Sequence, residues 1–320
     1  MSRRTRQVLL TGIAGVLLGL LAALLLVRAR MGGSAQAPVS PPPPAAAPAA
    51  AAEATAPPES AETPAPTVTE APPVPVDAQP DRNEAVEALF HRFAAEHTGR
   101  WNLCFLALPD GEPVIWGGEE GPMVSASLIK LPIMAAVFEG IARGDLDPAQ
   151  CEAWLGPMIT VSDNGSANAL IRLLGNGDET AGMAAVNDWC RRQGLTDTRL
   201  NRLMLADNGL QNYTGAADCA RLLAAIYRGD CVSPEASKQM LDLLLLQQVN
   251  DRLPAGLPAG TPVAHKTGDL IGLCWADVGV VFSPGGDYVL CVISDGQASE
   301  GEAKSAAAEL SRQIYEIMNP

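Results

Sequence analysis

Residues 274–294 read CWADVGVVFSPGGDYVLCVIS. Cys274 to Phe282 and Tyr288 to Ser294 are rich in β-branched residues, and Ser283-Pro284-Gly285-Gly286-Asp287 between them is a hairpin connection. Upstream, Pro262 to Thr267 reads as a third strand. Downstream, Glu300 to Met318 carries Ala303, Ala307, Leu310, Ile314 and Ile317 on one face of a closing helix. Further out, Val86, Leu89, Phe90 and Phe93 recur at helical spacing and mark a helix from about Asn83 to His97. Leu103 to Leu108 and Pro113 to Trp116 read as strands around the turn Pro109-Asp110-Gly111. Between these ends, Ser127 to about Tyr227 has a helical pattern, with breaks expected at Gly144, Gly156, Gly175 to Gly177, and Leu195 to Tyr213. Pro234 to Gln248 continues it. This order predicts an α+β fold. A mixed antiparallel sheet takes flanking helices from both chain ends, and an all-helical subdomain of about residues 127–260 is inserted between them.

That folded part, residues 81–320, is one of three expected segments. Val8 to Val27 is an uncharged run rich in Leu, Val, Ala and Gly, long enough as a helix to span a bilayer core of roughly 30 Å. Arg3, Arg4 and Arg6 precede it, favouring a cytoplasmic N-terminus and an extracytoplasmic body. Residues 1–33 are therefore expected to be a single-pass anchor in the cell membrane. The rival is a cleaved signal peptide ending at Ala35-Gln36-Ala37, which would release the protein. Residues 34–80 hold 14 of the chain's 26 prolines and no aromatic residue. They cannot bury a core and are expected to be a disordered tether.

Composition excludes several classes. Residues 81–320 contain 17 Lys+Arg against 31 Asp+Glu, a net charge of −14, which argues against nucleic acid as a partner. The seven cysteines include no CxxC and read as buried free thiols. With three histidines in the chain, no metal site and no cofactor is expected. The domain is expected to be monomeric.

Three short motifs follow in order: Ser127-Leu128-Ile129-Lys130, Ser162-Asp163-Asn164 and Lys266-Thr267-Gly268. A serine hydroxyl needs a base to become a useful nucleophile. One helical turn on from Ser127, Lys130 shares its face, and a desolvated lysine in cationic surroundings can serve as that base. Pro132 implies a tight first turn before the regular helix. Each motif alone has an ordinary structural reading: Ser-Asp-Asn as a helix cap, Lys-Thr-Gly as a strand end. Together they point to acyl transfer. His265 reads as a strand residue rather than a base.

With the longer strings SASLIKLPI (125–133), MITVSDNGSANALIRLLG (158–175) and HKTG (265–268), the sequence resembles the class A β-lactamase and penicillin-binding serine hydrolase family. The resemblance covers about residues 83–318 and implies a β-lactamase-like fold. It implies Ser127 as nucleophile, Lys130 as base and Ser162 as the proton relay to the leaving nitrogen. Asn164, Lys266, Thr267 and Gly268 would bind substrate, and the backbone N–H groups of Ser127 and Asp269 would form the oxyanion hole. The expected substrate is a β-lactam or a D-Ala-D-Ala-like peptide, with peptidoglycan as a possible partner.

The pattern fails in two places. Class A enzymes carry a deacylating glutamate in the loop that Thr198-Arg199-Leu200-Asn201-Arg202 begins, yet Leu203-Met204-Leu205 stands there and the loop is short. Asp207 and Asp197 are the remaining candidate bases. Ala276-Asp277-Val278 lacks the arginine many members carry on the neighbouring strand, which predicts weaker carboxylate recognition. The expectation is a hydrolase that opens β-lactams slowly. The alternatives are a D,D-peptidase or transpeptidase, or a penicillin-binding sensor or wall-binding module that does not turn over.

Overall fold

The computed structural model describes residues 79–320. The expected anchor over 1–33, with its apolar run, and the tether up to residue 78 lie outside the described residues. Helix α1 runs Gln79–Glu96. Among the described residues, no helix is long and apolar enough to cross a membrane.

Strands β1 (Arg100–Ala107), β2 (Val114–Trp116), β5 (Val263–Leu270), β6 (Cys274–Val281) and β7 (Tyr288–Asp295) form one sheet in the order β2-β1-β7-β6-β5. All four pairings are antiparallel. The expected antiparallel sheet, with helices from both chain ends against it, is therefore present. A short pair, β3 (Met123–Val124) with β4 (Tyr213–Thr214), stands apart from it.

The helices are α2 (Lys130–Ala142), α3 (Pro148–Thr160), α4 (Asn164–Leu174), α5 (Glu179–Arg192), α6 (Ala216–Arg228), α7 (Pro234–Leu245) and α8 (Glu300–Met318). Side-chain caps fix several starts. Asp147, Asp163, Asp178, Ser233 and Ser299 each accept a first-turn backbone N–H. Gly156 does not break the chain as expected, because it lies inside α3 beside Pro157. Mid-helix glycine costs only about 1 kcal/mol against alanine. Burial of Leu155, Met158 and Ile159 outweighs that penalty.

Strand alternation divides the core into two clusters, one on each sheet face. Leu103, Phe105, Leu290 and Val292 pack against Val86, Phe90, Leu310 and Ile314 of α1 and α8. Cys104, Cys291, Ile293, Val278 and Ala276 pack against the helical block. The candidate site lies where β5, at the sheet's edge, meets that block. All seven cysteines are buried and unpaired.

Candidate active site

A tight 3-10 turn, Ala126–Ile129, carries Ser127, and α2 starts at Lys130. This is the tight turn that Pro132 implied. Ala126 has φ 43°, a left-handed conformation unusual for a residue with a Cβ. The turn is fixed by Leu128 N–H donating to Ser125 O at 2.9 Å and Ser125 N–H donating to Asn212 O at 2.8 Å.

Lys130 is fully buried and its ammonium is the hub of the site. It donates to Ser127 Oγ at 3.1 Å, Ser162 O at 2.6 Å, Ser162 Oγ at 3.1 Å and Asn164 Oδ1 at 2.8 Å. Four acceptors surround three N–H bonds, so the contacts share its protons. Burial lowers the Lys130 pKa to about 8, against the opposing pull of Asp163.

The Ser-Asp-Asn stretch is indeed a helix cap, and the cap positions the site. Asp163 caps α4, its Oδ1 accepting from Ser166 N and Ser166 Oγ, each at 2.6 Å. This leaves the flanking Ser162 and Asn164 side chains to Lys130. Ser162 has φ 58°, a strained conformation held by its neighbours.

Lys266, on β5, donates to Ser162 Oγ at 2.9 Å and to Thr267 O at 2.8 Å. Burial and the nearby Lys130 charge lower its pKa to about 7. Gly268 lets β5 approach the turn: a Cβ there would stand 3.1 Å from Leu128 Cγ and from Ser125 O. Asp269, the next residue, lines the same pocket as Ser127 and Asn164. Ser127, Lys130, Ser162, Asn164 and Lys266 thus join one hydrogen-bonded cluster, with Thr267, Gly268 and Asp269 along its edge.

The opposite wall is the loop that the sequence marked as lacking a glutamate. Asn168 on α4 clamps it, donating to Met204 O at 3.1 Å and accepting from Met204 N at 2.8 Å. Asn212 accepts from Asn201 N at 2.8 Å and Arg202 N at 2.9 Å, and donates to Arg202 O at 3.1 Å. Met204 and Leu205 line the pocket, and Leu205 is 78% exposed with φ 62°. Asp207 is exposed and, like Asp197, is absent from the lining. Asp269 is the one carboxylate in that lining.

Sequence reasoning missed Arg252. It is 1% exposed and reaches β5, where Nη2 donates to Asp269 Oδ1. A guanidinium therefore stands beside the Lys-Thr-Gly strand although β6 supplies none. Asp277 occupies the β6 position opposite Thr267. Its Oδ2 accepts from Leu253 N at 3.1 Å, and its Oδ1 lies 2.8 Å from His265 Nδ1. His265 Nε2 lies 3.0 Å from Asn250 Oδ1. His265 is thus a buried strand residue that ties the Arg252 segment to the sheet. No motif surrounds Arg252, and only its position 14 residues before Lys266 hints at proximity. Among the described residues, no group of three His, Cys, Asp or Glu side chains could hold a metal ion.

A family model described as "Beta-lactamase enzyme family" matches residues 82–151 and 151–318. The chain belongs to this family. Beta-lactamase AST-1 of Nocardia asteroides is 30% identical over 164 residues, covering 50% of this chain and 52% of the relative. Extended-spectrum beta-lactamase PER-1 of Pseudomonas aeruginosa is 28% identical over 200 residues, covering 58% and 61%. The chain thus spans about half to three-fifths of the length of these curated relatives. Among solved structures, PBP-A superposes with a TM-score of 0.63 at 28% identity, over 74% of this chain and 95% of that one. The beta-lactamase of Sphaerobacter thermophilus gives 0.63 at 25% identity, over 73% and 97%. The fold is that of the class A β-lactamases.

Proposed function

We propose that the protein is a serine acyl-transfer enzyme that opens β-lactams, or cleaves D-Ala-D-Ala-like peptides, through an acyl-Ser127 intermediate. The observation that carries this reading is the Lys130 ammonium, within hydrogen-bond reach of Ser127 Oγ, Ser162 Oγ and Asn164 Oδ1 at once. Neutral Lys130 takes the Ser127 proton as Oγ attacks the carbonyl carbon. The N–H groups of Ser127 and Asp269 receive the oxyanion. The C–N bond then breaks, and Ser162 Oγ passes a proton to the leaving nitrogen, itself resupplied from Lys130. Asn164 orients the substrate amide, while Lys266 and Thr267 meet its carboxylate end.

Release is the slow half. Met204 stands where a carboxylate would activate water, and losing a general base costs about 10²–10⁴ in rate. This favours penicillin binding and cell-wall peptide chemistry over rapid antibiotic turnover. The solved relatives include a Leu-to-Glu mutant of PBP-A as an acyl-enzyme complex with penicillin G. In the same reading, residues 8–27 anchor the chain in the membrane, residues 34–80 tether it, and the monomeric domain works outside the cytoplasm. The test of the chemistry is peptide mapping after incubation with a labelled penicillin. The adduct is expected on the Ser125–Lys130 peptide, and labelling elsewhere would refute the assignment.

A further inference from the structure

Arg202 lines the Ser127 pocket from the loop, and among the described residues it forms no ion pair. Its hydrogen bonds go to neutral oxygens. Nη1 donates to Leu203 O at 3.1 Å and Nη2 to Gln211 Oε1 at 3.0 Å. Nε is buried and has no partner. Between Arg199 and Tyr213 the loop contains a single acid, Asp207, which is absent from the lining. A guanidinium always carries its charge and presents its N–H groups as a planar fork that matches a carboxylate. Here that fork is held by neutral partners beside Met204 and Leu205, which keep water from part of it.

The pocket's other charges are engaged elsewhere. Asp269, the one carboxylate in the lining, accepts from Arg252 Nη2, and Arg252 itself stands outside the lining. Lys130 and Lys266 are buried in the hydrogen-bonded cluster around Ser162. Arg202 is thus the uncompensated charge among the lining side chains. Its place also fixes which half of a substrate it meets. In the acyl-transfer reading the leaving nitrogen faces Ser162, and the carboxylate end beyond it faces Lys266 and Thr267. The acyl half extends the other way, past Asn164, against the loop wall of Arg202, Met204 and Gln211.

We propose that Arg202 is a specificity-determining residue that selects acyl donors carrying an anionic group on the acyl side of the scissile bond. The class comprises penicillins with a carboxylate on the acyl side chain and peptides with a free side-chain carboxylate ahead of the cleaved bond. Such an anion receives charge-assisted N–H bonds from Arg202 that a neutral acyl group cannot form. This inference rests on the acyl-transfer reading. Arg202 also braces the loop through Leu203 and Gln211, but a loss of bracing changes the rates of all donors together. Only a contact between Arg202 and the anion separates charged from neutral donors.

The test compares carbenicillin with benzylpenicillin, which differs by lacking the carboxylate on the acyl side chain. Intact-protein mass spectrometry times acylation of the full chain by each. In Arg202→Gln the carbenicillin-to-benzylpenicillin ratio of acylation rate constants is expected to fall about tenfold below wild type, whatever change the two rates share. If thermal melting shows that Arg202→Gln does not fold, Gln211→Glu is measured instead. It keeps Arg202 but supplies a carboxylate within the loop, and the same ratio is expected to fall. A ratio that stays the same or rises overturns the inference while leaving acylation at Ser127 intact. If neither penicillin acylates the wild type, the acyl-transfer reading fails, and the inference falls with it.

Discussion

The two walls of the Ser127 pocket are built from opposite materials. One wall concentrates Ser127, Lys130, Ser162, Asn164 and Lys266, every one tied to another by a hydrogen bond no longer than 3.1 Å. The other presents Met204, Leu205, Arg202 and Gln211, with Asn168 and Asn212 holding the loop's backbone. The first wall can move protons. The second presents no carboxylate in the pocket lining. In the proposed reading attack and release are separable: the first depends on packed elements, the second on one loop side chain.

The comparison breaks most completely at the first wall. Ser127→Ala is expected to abolish covalent labelling by penicillin, read by intact mass. Lys130→Ala is expected to slow labelling by about 10²–10⁴ while Ser127 remains the modified residue. Labelling of Ser127→Ala at the wild-type rate would show that the first wall is not the reactive one.

The acidity of the two lysines sharpens the contrast. Lys130 acts as base only when neutral, so acylation should rise with pH, by about tenfold per unit, until its pKa of about 8. Lys266 helps a carboxylate-bearing donor only when charged, and that help is lost as the pH rises through about 7. Free acids should show a narrower optimum than esters, which should follow the rising limb alone. Identical profiles for the two would remove Lys266 from carboxylate recognition.

The smallest effects belong to the second wall. Asp207→Asn and Asp197→Asn should each leave the slow release of the acyl group within about twofold of wild type, since neither residue lines the pocket. A loss of 10² or more, the mark of a missing general base, would identify a hidden one.

How much of this was legible varies with the kind of residue. The closing helix Glu300–Met318 was readable to its ends from its apolar stripe. The three motifs named the polar wall because each is contiguous in sequence. The missing glutamate was equally plain at Met204. The continuity of α3 through Gly156-Pro157 was not, since burial of its apolar face overrides a local breaker. Arg252 was invisible for a different reason. Its role comes from the sheet partner it reaches, and a lone arginine in a loop does not encode that in sequence.

The most direct test of the separation between walls is a pre-steady-state time course of the wild type with a chromogenic cephalosporin in tenfold excess. The predicted trace is a burst of about one equivalent, followed by a slow steady state, with the acyl adduct visible by intact mass through the slow phase. Turnover of many equivalents with neither burst nor adduct would contradict the account, because a base able to activate water would then have to act from the wall that holds Met204.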